Sequence, residues 1–303
     1  MATQSLPRLP TELWLRVFQN LNNDHDLPEA WLSLRHVNTT FKVCVETIFR
    51  ENLLPKTWVR YDLGEVYNEE SGRVVLDAEF KFLRVSEDQN TAIFKIDCID
   101  DEHKAIVEGR LREATAGDKI EFPQNTIQIR RDLTDGPVPS LAIDYEIFEL
   151  SCDWREMFTI FWSEVRLTSN LTRDWVEKQE AWMNTMKAEV TSGQMDMGTM
   201  MMQAMNGFAR SNKSAARTAR RLRYKRMIQR THPEMTDFTI NKDEERRILK
   251  ELGQKREAAA MMDMSDDEKE DDEEEEDEWD DEDDADDVHS EDGHLTVASS
   301  SAV

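Results

Sequence analysis

Leu9-Pro10-Thr11-Glu12-Leu13, continued by Val17-Phe18 and Leu21, is the stretch on which the fold of this 303-residue chain turns. Proline suits the first turn of a helix, where its missing N–H leaves nothing unpaired. Leu13, Val17 and Leu21 recur every fourth residue with Phe18 beside them, so one face of a helix is apolar. A second helix is predicted from Asp26 and Glu29 at capping-box spacing, with Pro28 between them. It carries Trp31, Leu32 and Leu34. After a break near Asn38, the residues Phe41, Val45, Ile48 and Phe49 make a third stripe, which Pro55 ends. Residues 9–53 therefore read as three short helices. So small a unit cannot bury all of its apolar surface, and some face is left over for a neighbour or a partner.

Outward from that unit the period changes. Between Trp58 and about Leu150 apolar residues alternate with polar ones: Val74, Leu76, Ala78, Phe80 and Phe82, then Ala92, Phe94 and Ile96. Leu141, Ile143, Tyr145 and Ile147 repeat the pattern, and Ile127 and Ile129 mark a shorter run. The breaks carry turn chemistry at Glu70-Ser71-Gly72, Asp88-Gln89-Asn90, Gly117-Asp118 and Asp135-Gly136-Pro137. This predicts a mainly antiparallel sheet with one buried face, and an α+β fold class. The segment Ala105 to Ala114 fits either strand or helix. Trp154, Phe158, Phe161, Trp162 and Val165 then follow at helical spacing and predict an amphipathic helix packed on the sheet. A further helical stretch holds Leu171, Trp175 and Trp182.

Beyond residue 182 the composition shifts twice. Residues 183–205 hold eight of the 15 Met, which suits either an adaptable contact surface or a linker. From Ala209 to Thr231 there are nine Lys or Arg and no acid. Arg217, Arg220, Arg221, Arg223, Lys225 and Arg226 form its centre, readable as an import signal, a nucleic-acid contact or a solvated helix. Between Asp263 and Asp292 there are 22 acids and one base, a net −21 of the chain's −26. Such a segment is too polar to build a core, and a disordered acidic tail is expected over residues 263–303.

The residues of the opening stretch resemble an F-box. Leu9-Pro10-Thr11-Glu12-Leu13 with Val17, Phe18 and Leu21 is similar to the start of that motif. Trp31-Leu32-Ser33-Leu34-Arg35, Val37-Asn38 and Phe41-Lys42 are similar to its second half. The remainder looks like the Trp-rich, acidic body of fungal F-box proteins. The resemblance implies that Leu9, Pro10, Glu12, Leu13, Val17, Phe18, Leu21, Trp31, Leu34, Val37 and Phe41 serve adaptor binding and the packing of the three helices. It also implies a non-enzymatic substrate receptor, bound through a Skp-type adaptor to a cullin-based ubiquitin ligase, that recruits a protein substrate. The organisation expected is an F-box over 5–54, a β-rich domain with its amphipathic helix over 57–182, a Met-rich and basic helical or linker region over 183–262, and the tail. The rival expectation is a chromatin- or basic-protein-binding factor that uses the acidic tail as a chaperone-like arm.

Several chemistries find no foothold. The six His are scattered, none paired with Cys or carboxylate at ligand spacing, so no metal or other cofactor is expected. There is no Gly-rich phosphate loop and no G-x-S-x-G, and no catalytic residue is assigned. Cys44, Cys98 and Cys152 lie far apart in sequence and read as reduced, mostly structural thiols. Trp154-Arg155-Glu156 is compatible with a ligand pocket but fits core packing better. No run approaches the ~20 apolar residues that a membrane span needs. Met1 to Pro10 carries no leader pattern, so a cytoplasmic or nuclear protein is expected, with nucleic acid an unlikely partner.

Overall fold

Alternation along the middle of the chain folds into one antiparallel sheet. A computed structural model describes residues 9–20, 26–68, 72–116, 125–231 and 241–262. Its strands are β1 (Thr57–Asn68), β2 (Gly72–Val85), β3 (Thr91–Lys95), β4 (Asn125–Ile129), β5 (Asp132–Thr134), β6 (Ala142–Asp144) and β7 (Glu149–Asp153). They pair antiparallel throughout, in the order β5-β4-β1-β2-β3-β7-β6. Along β2, Leu76, Ala78 and Phe80 are buried while Val75, Asp77 and Lys81 face out. The outward face is held by charges opposed across strands: Arg60 with Asp77 at 3.3 Å and with Glu79, and Lys81 with Asp97 at 3.0 Å. Such pairs suit a solvated surface, so the sheet needs a second layer on one side only.

The helices supply that layer. The ambiguous segment is α4 (Asp101–Thr115), which buries Val107, Leu111 and Ala114. Its Arg110 donates to the carbonyls of Leu63 (2.7 Å) and Glu65 (3.0 Å), on either side of a bulge in β1. Gly64 makes that bulge at φ +74, a backbone that a side chain would strain. α5 (Trp154–Lys178) starts where β7 ends, its first N–H groups capped by the Asp153 carboxylate, which accepts from Arg155 N at 2.9 Å and Glu156 N at 3.0 Å. Its predicted stripe is the buried one: Trp154, Phe158, Phe161 and Trp162, with Val165 half-buried.

One strand was hidden in the alternation. Leu141 to Ile147 predicts a single strand, but β6 stops at Asp144. That carboxylate accepts from Glu146 N at 3.0 Å, Phe148 takes φ 52, and the chain doubles back as β7. Asx turns of this kind satisfy backbone locally and end a strand without glycine or proline.

The N-terminal helices are α1 (Thr11–Gln19), α2 (Leu27–Leu32) and α3 (Thr39–Ile48). Asn38 caps α3 from extended backbone, accepting from Phe41 N at 2.8 Å. The capping box expected at Asp26 does not form, because Asp26 already has helical backbone (φ −86, ψ −22), which does not aim its carboxylate at the free N–H groups. A π-helical turn (Phe49–Leu53) and a short 3-10 turn containing Pro55 lead straight into β1.

The segments expected as separate units over 5–54 and 57–182 share a single core. Trp31 is fully buried, its ring 4.8 Å from Phe49, 5.4 Å from Phe158 and 5.8 Å from Trp154. Its indole N–H donates to Thr159 Oγ1 at 3.0 Å. Beside the rings, Arg155 bridges Glu46 of α3 (2.9 Å) to the Gln89 carbonyl of the β2–β3 turn (2.7 Å). The chain then continues as α6 (Glu180–Thr191), α7 (Met197–Thr231) and α8 (Lys242–Met262). α7 lies antiparallel to α5, since Arg223 pairs with Glu164 while Asn212 pairs with Thr172.

Candidate functional site

α1 is amphipathic in both directions. Trp14 and Phe18 turn inward and pack on Phe41 of α3, at ring distances of 4.6 and 5.0 Å. Leu13 and Val17, at i and i+4, stay open to solvent at 43% and 49% exposure, and Leu9, just before the helix, is 48% exposed. Val37 (61%) and Val43 (57%) are also open on the same three-helix unit. Single exposed apolar side chains are ordinary, but a stripe of them along one helix is the usual form of a docking face. Pro10 precedes the first helical residue and fixes the chain beside Leu9 in extended backbone (φ −55, ψ 152).

The residues assigned to adaptor binding therefore divide. Leu9, Pro10, Glu12, Leu13, Val17 and Val37 are exposed and available. Phe18 is buried, and Leu34 and Phe41 are half-buried, so these hold the helices together. Trp31 is a correction: with no exposed surface it joins the helices to α5 and touches no partner. Leu21 lies outside the described residues. Val43 was missed, though a signal existed, since it falls off the Phe41–Val45–Ile48 stripe and an apolar residue there has no core to enter.

The basic segment divides more sharply, and the expectation of an open cationic run is corrected. Arg220 and Arg223 turn inward to Asp135, whose side chain is only 3% exposed. Arg220 Nε donates to Asp135 at 2.7 Å and its Nη2 to the Tyr224 hydroxyl at 2.9 Å. Arg223 pairs with both Asp135 and Glu164, and donates to Thr134 Oγ1 at 3.0 Å. Burial pushes the Asp135 carboxyl up, but the Arg223 and Arg220 guanidiniums outweigh it and hold the group below the usual carboxylate range. Burial likewise opposes charge on Arg223, and Asp135 and Glu164 reverse that and raise it. Arg221 reaches Glu245 of α8 through two bonds, at 2.9 and 2.6 Å. Arg217 is half-buried, while Lys225 and Arg226 are exposed. What reads as an address in sequence is largely the fastening of α7.

Cys44 and Cys152 are buried and have the character of core residues, while Cys98 is exposed. Burial, then Asp153, pushes Cys152 up to about 12, and burial, then Glu12, raises Cys44. Trp154, once a candidate pocket wall, is buried and donates to the Gln89 carbonyl at 3.1 Å. Among the described residues no group of His, Cys, Asp and Glu is placed to hold a metal ion, and no helix is long and apolar enough to cross a membrane. No protein-family model matches the chain, and neither a curated protein nor a solved structure is significantly similar to it, so the likeness to F-box proteins rests on the residues quoted above.

Proposed function

We propose that the three N-terminal helices dock a Skp-type adaptor, and that the chain is a non-enzymatic receptor presenting a protein substrate to a cullin-based ubiquitin ligase. The observation that carries this reading is the open apolar surface of Leu13 and Val17, with Leu9 just before them, on a helix whose other face is already packed. It coincides with the residues through which the sequence resembles an F-box. Fusion of the helices to the sheet through Trp31 suits a receptor, because a rigid joint holds a bound substrate in one place relative to the ligase.

Calorimetry of the full chain with a purified Skp-type adaptor tests it. Leu9→Ala with Pro10→Ala removes two exposed anchors, so binding falls by at least the ~1–2 kcal/mol typical of each anchor while the fold persists. Undiminished binding by the double variant, or no binding by the natural chain, ends the proposal. Recovery of histones or ribosomal proteins in place of adaptor and cullin from native extract would favour the rival reading of a basic-protein chaperone, which the 22 acids between Asp263 and Asp292 suit.

A further inference from the structure

α5 and α7 run side by side, with one close backbone approach beside Trp175. That approach is at Gly207, where an added Cβ would stand 3.3 Å from the Trp175 ring. Two open hollows of about 420 and 350 Å³ meet there, sharing Trp175, Gly207 and Arg210. Leu171 and the small residues Ser211 and Ser214 line the first; Trp182 and the amides of Gln179, Gln203 and Asn206 line the second. Among the described residues no acid lines either hollow.

We propose that this groove docks an acidic peptide segment of a partner protein, one carrying a leucine or an aromatic side chain among its carboxylates. Trp175 and Trp182 offer broad apolar walls that are stiff, so little freedom is lost when a side chain lies against them. The three amides each present a donor and an acceptor, which matches the peptide group. Phosphate offers acceptors only. Arg210 is exposed and has no carboxylate partner among the described residues, so its guanidinium is free to take an incoming carboxylate in a bidentate pair. The surroundings favour the same sign. From Ala209 to Thr231 α7 has nine Lys or Arg and no acid, and although Arg220, Arg221 and Arg223 are held by Asp135, Glu245 and Glu164, Arg210 remains in the lining of the groove. A nucleic acid would be drawn by a row of cations at phosphate spacing, and among the described residues the lining supplies a single arginine. The inference rests on the substrate-receptor reading only in making the peptide's owner a ubiquitylation substrate; the groove itself needs no adaptor.

The test is fluorescence anisotropy with the full chain at physiological ionic strength, where long-range attraction between exposed charges is screened. The probes are a short labelled peptide built around Asp-Leu-Phe-Glu, the same peptide with Asn and Gln for its acids, and a labelled oligothymidylate. The acidic peptide binds saturably, and the neutral one is weaker by about tenfold, as is the acidic one on Arg210→Glu or on Gln203→Ala with Asn206→Ala. Lys225→Glu, on the same helix but outside the groove, changes affinity by less than about twofold. Equal losses from Arg210→Glu and Lys225→Glu would reduce the effect to general charge and overturn the proposal. So would oligothymidylate displacing the peptide, or the absence of saturable peptide binding. Adaptor affinity measured on the same variants stays unchanged, and Leu9→Ala with Pro10→Ala leaves peptide binding intact, so either reading can fail alone.

Discussion

At its N-terminal end the sheet layer receives three helices through aromatic rings. Trp31 lies among Phe49, Trp154 and Phe158, and a single indole hydrogen bond to Thr159 sets its orientation. At the other end α7 is received through charges. Arg220 and Arg223 surround Asp135, with Glu164 and Tyr224 completing the set. The two joints fail differently. A ring cluster loses stability in proportion to the surface and packing removed, and neither salt nor pH touches the rings. A buried ion cluster holds only while its charges balance, and removal of one member leaves its partners desolvated with one counter-charge fewer.

The largest effect is expected where the ring joint is emptied. Trp31→Ala destabilises the chain by about 3–5 kcal/mol, with a cavity that the surrounding aromatics cannot fill. Because the core is continuous, thermal unfolding followed by near-UV and far-UV signals stays a single transition and moves down in temperature. Two separate transitions would mean that the helices and the sheet are independent after all. Asp135→Asn tests the other joint. It keeps the shape but leaves Arg220, with a side chain 1% exposed, and Arg223, 11% exposed, short of a charge. A loss of up to about 3–5 kcal/mol follows, centred on α7. Hydrogen exchange separates the two variants: Asp135→Asn strips protection from α7 first, Trp31→Ala from α2 and α3.

Acid sharpens the contrast with no substitution. The Asp135 carboxyl is held below its ordinary value when folded, so it binds a proton less readily there than in the unfolded chain. Its contribution to stability is complete above the unfolded value of about 4 and drains away as pH falls through the folded value. From neutrality down to about pH 4 the α7 joint is therefore constant, and it loosens below that. Exchange corrected for its intrinsic pH dependence should show α7 losing protection before α2 on acidification. The reverse order would deny the ion cluster its role.

How much of this was readable beforehand depends on how far apart the partners lie. Alternation is local, so β2 and β3 were legible, and so was the stripe of α5 from Trp154 to Val165. The turn at Asp144 hid β7, since an aspartate inside an alternating run looks like another outward residue. The charge joint was out of reach. Asp135 reads as a turn residue, and its partner Arg220 is 85 positions away in a run that resembles an import signal. Apolar stripes posed the same difficulty in reverse. Trp31 and Leu13 both look like surface for an adaptor, yet one closes a core across 128 residues to Thr159 and the other meets water. Sequence period tells that a helix has an apolar face, and only the packing of the rest of the chain tells whether that face is already taken.

The smallest expected effect distinguishes those two meanings of an apolar residue. Leu13 and Val17 are 43% and 49% exposed, and the helix they belong to is anchored by Trp14 and Phe18 against Phe41. Replacing both by serine removes little buried area. Serine lowers helix propensity slightly relative to leucine, and about matches valine. The two effects together change stability by no more than about 0.5–1 kcal/mol, near the range of surface substitutions. Urea unfolding of Leu13→Ser with Val17→Ser, read as a midpoint shift at constant slope, measures it. A shift as large as that of Trp31→Ala would mean that the stripe is core, covered by some part of the chain, and the docking face would be gone. A small shift leaves the stripe as surface kept apolar at no benefit to the fold, which is what a binding face should be.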